Sequence, residues 1–146
     1  MTLAQLDVEA LVTRFIAGAV PRSEWTHAAH LTVGLWHVDQ FGTNEALTLL
    51  RQRIRRLNES NGVVNSPTGG YHETITGAYV QLLDAFLRAS PGLSMAGRVE
   101  RLLADTIAEK EYLLRFYSKA TLLSPQARAQ WVEPDLAPLT LPSTSA

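Results

Sequence analysis

The sequence predicts an all-α protein, a compact bundle of about five helices that ends in a short helix and an extended tail. Apolar residues recur at helical spacing between clear helix breakers. No segment keeps the strict apolar–polar alternation that is typical of a half-buried strand. The chain has 146 residues and no cysteine, a length that supports one hydrophobic core without disulfides.

The first two helices are bounded by proline, serine and glycine. A helix is predicted over residues 7–19, because Pro21 disfavours helical backbone at the residue before it. Ser23 is a good N-cap for a second helix over residues 24–41. Gly42 then provides the left-handed residue that commonly ends a helix.

Two further helices follow on either side of a loop. Thr43 caps the third helix, whose apolar stripe runs from Leu47 to Leu57 and whose end is marked by Asn61. A loop over residues 63–70 leads to the fourth helix, predicted over residues 71–89 and closed by Pro91.

In the last third of the chain, the regular helical pattern of apolar residues gives way to shorter elements and prolines. Ser94 can cap a fifth helix that runs to residue 118 with a break near Asp105. A serine followed by proline predicts a short helix over residues 124–131. Residues 1–132 are therefore interpreted as a single domain, and residues 133–146, which contain three prolines, as an extended tail over the bundle.

Composition excludes several classes of protein. Thirteen basic and fourteen acidic residues give a net charge of −1, which provides no field for nucleic acid or anionic lipid. No apolar run approaches the roughly 18 residues of a membrane span, and the first seven residues lack the features of a signal peptide. Without cysteine there are no thiolate ligands. These observations predict a soluble cytoplasmic protein.

Three of the four histidines lie within eleven residues of the second helix. At about 100° per residue, His27 and His30 lie within about 60° of each other and on its apolar stripe. We expect both rings to point into the protein one turn apart. His37 lies at the edge of the same sector, and for it a packing role is expected.

His72 repeats this pattern at the start of the fourth helix, where it heads a stripe that includes Thr76 and Tyr79. The second and fourth helices are not consecutive, so parallel packing would bring His27, His30 and His72 to one end of the bundle. Three imidazoles suit a divalent transition metal (Zn, Fe, Mn, Ni or Cu) and leave a position open for water or substrate. The alternative is a polar network in which each ring is hydrogen-bonded internally.

Other polar residues complete the predicted site. Glu73 lies on the flank of the fourth helix, where it can act as general base on a metal-bound water, although an acidic residue in a first turn is also favoured by the helix dipole. Tyr71, Thr76 and Tyr79 are expected to line a substrate pocket. The loop over residues 66–70 is either a flexible capping loop or, if a substrate enters beside the histidines, its lid or rim. Lys110 interrupts an apolar stripe of the fifth helix unless that helix breaks.

The motifs around these residues resemble those of an uncharacterised family of small bacterial helical proteins. The resemblance consists of W-T-H-x-x-H-L at residues 25–31, Y-H-E-T at residues 71–74 and the segment at residues 131–136. It implies a helical fold and brings no activity with it.

Three functions remain open from the sequence. The first is a metal-dependent enzyme, a hydrolase, lyase or oxygenase, that acts on a small molecule through His27, His30 and His72. The second is a non-catalytic module that binds a small molecule in a largely apolar pocket. The third is a structural bundle that forms homo-oligomers through an exposed apolar patch.

Overall fold

A computed structural model describes residues 3–142 and confirms the all-α bundle. Within this range there is no β-strand, and no helix is both long enough and apolar enough to cross a membrane. Three short 3₁₀ helices occupy residues 22–24, 106–108 and 112–115. The α-helices are α1 (Leu3–Ile16), α2 (His27–Ser60), α3 (Glu73–Ala89), α4 (Met95–Leu103), α5 (Lys119–Leu122) and α6 (Pro125–Ala129).

Helix α2 is two helices joined at Gly42, as the glycine predicts. Gly42 has φ 77° and ψ 174°, a region that is open essentially only to glycine. A straight helix would separate residues 37 and 53 by about 24 Å, yet Arg53 Nη1 donates to His37 Nε2 at 2.8 Å. The two halves of α2 therefore fold against each other.

The first half of α2 begins three residues later than predicted. Ser23 lies in the 3₁₀ turn before it, and Thr26 is the N-cap, with its hydroxyl accepting from the Ala29 amide at 3.2 Å. Both residues are good caps by type, and Thr26 takes this role. His27 is thus the first residue of the helix.

The first half of α2 runs parallel to α3 at the centre of the bundle. His27 lies beside Tyr79, and a Cβ atom on Gly34 would approach Leu83 Cδ1 to 2.9 Å. The absence of a side chain at Gly34 therefore permits this close approach. The parallel arrangement agrees with the expectation that the two helix starts lie at one end of the bundle.

The predicted fifth helix is much shorter in the structure. Helix α4 ends at Leu103, and Asp105 begins a 3₁₀ turn by accepting from the Ile107 amide. The break predicted near Asp105 is present, but irregular turns rather than a continued helix follow it. Lys110 consequently does not lie on a buried helical stripe.

The C-terminal segment is fixed to α3. The hydroxyl of Thr74 donates to the carbonyl of Gln130 at 2.8 Å and accepts from the Val132 amide at 3.1 Å. Leu139 packs against the core, whereas Leu136 is exposed. Residues 143–146 of the expected tail lie outside the described residues.

His37 is a packed core residue, in agreement with the role expected for it. Its surface is fully buried. Nδ1–H donates to the carbonyl of Val33 at 2.8 Å, and Nε2 accepts from Arg53. Burial, together with the nearby Arg53 cation, lowers the pKa of His37 to about 4.

This lowered pKa predicts a specific dependence of stability on pH. Above pH 6.5 the ring is neutral in both states, whereas between pH 6.5 and about 4 only the unfolded chain takes up the proton. Lowering the pH from 7 to 5 should therefore cost about 2 kcal/mol of unfolding free energy at His37 alone. The His37→Gln variant lacks this titrating group. In denaturant unfolding at both pH values, its unfolding free energy should therefore fall by about 2 kcal/mol less than that of the wild type. Equal losses in the two proteins would contradict this assignment.

Candidate functional site

A cavity of about 580 Å³ lies between α2, α3, the segment at residues 110–114 and α5. We call it the central cavity. Pockets for small ligands typically have volumes of about 300–1,000 Å³, so its size is appropriate for a small molecule.

The wall of the central cavity is mostly apolar. Both halves of α2 contribute to it, together with one face of α3, the segment after α4 and the end of α5. The apolar lining consists of Trp25, Leu31, Val33, Gly34, Leu50, Ile54, Ile75, Val80, Leu83, Leu113, Leu114, Leu122 and Leu123.

Three polar side chains of the wall are engaged by the backbone. The hydroxyl of Thr26 caps α2, and the hydroxyl of Thr76 donates to the carbonyl of His72 at 2.8 Å. His30 is exposed, lies on the Trp25 ring at a centroid distance of 3.9 Å, and donates from Nδ1 to the carbonyl of Thr26 at 2.7 Å. The Nε2 atom of His30 has no hydrogen bond to a described residue.

Two buried polar atoms of the wall have no hydrogen-bond partner among the described residues. They are Nε2 of His27 and the hydroxyl of Tyr79, whose rings lie 5.8 Å apart, edge to face. Buried polar groups are nearly always paired, and leaving one unpaired costs about 1–3 kcal/mol. This pair is therefore the polar feature of the cavity that most requires an external partner.

A positive charge acts on His27. Burial and the ammonium of Lys110 lower the pKa of His27, so its ring is neutral at pH 7. Burial raises the pKa of Tyr79 to about 12, which keeps the phenol protonated. Lys119 and Glu111 also line the cavity, and within the described residues none of the salt bridges involves either lysine.

The structure does not bring His72 to the other two predicted metal ligands. His72 is the N-cap of α3 rather than a residue of its first turn: Nδ1 accepts from the Ile75 amide at 3.1 Å, and Nε2 donates to the carbonyl of Leu122 at 2.7 Å. Tyr79, and not His72, lies beside His27. Since His72 is at the start of α3, it lies at least one helical turn away from His27 along the α3 axis. In residues 3–142 no three histidine, aspartate or glutamate side chains form a group that could hold a metal ion.

Glu73, the predicted general base, is held in an ion pair. Arg51 donates to both carboxylate oxygens at 2.9 and 2.6 Å, and the hydroxyl of Tyr71 donates to Oε1 at 2.8 Å. The hydrogen bonds from Arg51 lower the pKa of Glu73, which makes it a weaker base. Neither Glu73 nor Tyr71 lines the central cavity, whereas the other two predicted pocket residues, Thr76 and Tyr79, do.

The rim is also formed by residues other than those predicted. The loop at residues 66–70 does not contribute to the wall; its neighbour Asn65 accepts from Asn58 and from the Tyr71 amide, both at 3.0 Å. Lys119 was not identified from the sequence. One signal was present, since Lys110 and Lys119 are the chain's only lysines.

Comparison of the chain with models of known families, with curated proteins and with solved structures finds no match. The functional argument therefore depends on the geometry of the central cavity.

The unpaired hydroxyl of Tyr79 predicts an unusual effect on stability. Tyr79→Phe should leave the unfolding free energy of the ligand-free protein unchanged or raise it by about 1 kcal/mol, because it removes a buried polar atom without a partner. The matched control is Tyr117→Phe, which removes a hydrogen bond of 2.7 Å to the carbonyl of Val132 and should cost about 1 kcal/mol or more. Urea unfolding measures both. A Tyr79→Phe variant that loses as much stability as the control would show that this hydroxyl is already paired.

Proposed function

We propose that this protein binds a small, predominantly apolar molecule in the central cavity. The observation that carries the proposal is the unpaired His27 Nε2 and Tyr79 hydroxyl in a mostly apolar wall. Small-molecule sites usually combine a largely apolar wall with a few polar groups. A ligand would bury its apolar body against the wall and offer these two atoms a partner.

The proposal accounts for features that a purely structural bundle does not require. A bundle optimised for stability alone gains from filling a cavity and from pairing or removing buried polar groups. Here a cavity of about 580 Å³ and two unpaired polar atoms occur together. Ligand binding explains both features by a single role.

The metal-dependent enzyme is a second candidate, favoured by one observation. His27 and His30 both line the cavity, one turn apart, and each has an Nε2 without a hydrogen bond to a described residue. His72 could complete the predicted set only by giving up one of its two backbone hydrogen bonds. Elemental analysis of protein purified without a nickel column tests this candidate: stoichiometric metal that is lost in both His27→Ala and His72→Ala would support it, and metal-free protein would contradict it.

We also propose a cytoplasmic location and a small molecule, rather than nucleic acid or a membrane, as the partner. The absence of cysteine agrees with the location because no disulfide is needed. The near-balanced charge agrees with the choice of partner. A homo-oligomer stays a prediction from the sequence.

Blocking the cavity tests the proposed function. The uncharged dye N-phenyl-1-naphthylamine should bind the full chain with increased fluorescence, since a mostly apolar cavity shields the dye from water. Ile54→Trp places a larger ring in the cavity wall and should weaken dye binding at least about ten-fold.

The control is Leu87→Trp, which changes a partly buried residue of α3 that does not line the cavity. Its dye affinity should match that of the wild type, and circular dichroism should show that both variants remain folded. Absence of dye binding, or equal binding by both variants, would contradict the proposal.

A further inference from the structure

The distribution of the two kinds of basic residue points to the charge of the ligand. The chain has eleven arginines and two lysines. None of the arginines lines the central cavity, and both lysines do. Several arginines are held by protein carboxylates, such as Arg51 by Glu73 and Arg98 by Asp39.

The two lysines are exposed, and no salt bridge to a described carboxylate holds them. Within the described residues neither Lys110 nor Lys119 forms a salt bridge, although Glu111 lies on the same wall. Two ammonium groups and one carboxylate leave the wall with one excess positive charge. A flexible lysine at a cavity mouth can keep its ammonium group hydrated until a counter-ion arrives.

We propose that the ligand of the central cavity is an amphipathic anion, an apolar body that carries one carboxylate. The inference rests on the proposed function. The carboxylate oxygens would accept from the Tyr79 hydroxyl and from His27, while the ammonium of Lys110 balances the charge, and Lys119 supplies a second cation on the same wall.

This head group matches the hydrogen-bonding capacity of the site. The Tyr79 hydroxyl is protonated at neutral pH and can donate, and a neutral His27 with its proton on Nε2 can donate as well. A carboxylate only accepts hydrogen bonds, and charge-assisted bonds of this kind are stronger than neutral ones. A ligand with an ammonium head group would instead be repelled by the like charges of Lys110 and Lys119.

The apolar part of the cavity fits a hydrocarbon body. Leu31, Leu50, Ile54 and Leu83 belong to its wall, so a saturated chain or a small hydrophobic ring would contact apolar surface. Burial of each methylene contributes about 0.8 kcal/mol. The affinity would therefore come mainly from the body, and the selectivity from the head.

A matched series of ten-carbon ligands tests the inference. Decanoate, 1-decanol and decylamine are titrated into the full chain as competitors of N-phenyl-1-naphthylamine. Decanoate should compete at least about ten-fold more tightly than decanol, and decylamine should be the weakest. Equal affinities of decanoate and decanol would overturn the inference and leave the proposed function standing, whereas a dye that does not bind at all would contradict the proposed function itself.

Variants identify the source of the preference. The double variant Lys110→Met/Lys119→Met should lose most of the preference for decanoate over decanol. The control double variant Arg22→Met/Arg101→Met removes the same charge from exposed positions outside the cavity and should keep the preference. If both double variants reduced it equally, the general charge of the protein rather than this site would be responsible, and the inference would be wrong.

Discussion

The imidazole of His72 joins the start of α3 to the end of α5. Its Nδ1 accepts from the Ile75 amide and its Nε2–H donates to the carbonyl of Leu122, so one buried ring satisfies a helix terminus and fixes a segment fifty residues away. Both connected segments line the central cavity, α3 through Ile75 and α5 through Leu122. This side chain, with its proton on Nε2, therefore connects two segments of the cavity wall.

The histidines show how one residue type serves different purposes. His37 donates from Nδ1 and accepts at Nε2, whereas His72 donates from Nε2 and accepts at Nδ1. Both are fully paired and structural. His27 differs from them because its buried Nε2 has no partner among the described residues. This contrast, more than the number of histidines, is why we propose that His27 faces a ligand.

Features set by neighbouring residues could be predicted from the sequence. The glycine at position 42 predicts the break in α2, and the pair Ser124–Pro125 predicts the start of α6, because these signals act within one turn of backbone. The inward direction of His27 also follows from the apolar stripe of its helix.

Features set by tertiary register could not be predicted. A helical wheel gives the direction of His27 and His72 about their axes, but not their relative height, and an offset of at least one turn separates them. Similarly, residue type alone does not decide whether Ser23 or Thr26 is the N-cap, because the choice depends on the path of the preceding chain. Lys119 comes to the cavity through irregular turns after α4 that have no periodic pattern.

The central claim is that His27 belongs to the polar end of a ligand cavity, and nitrogen NMR of the histidine side chains tests it most directly. In ¹⁵N-labelled full-length protein at pH 7, the account predicts a neutral His27 ring whose nitrogen resonances shift on saturation with decanoate. The resonances of His37, which is sealed in the core by Val33 and Arg53, should stay unchanged. Saturable decanoate binding that leaves the His27 resonances unmoved would contradict the account.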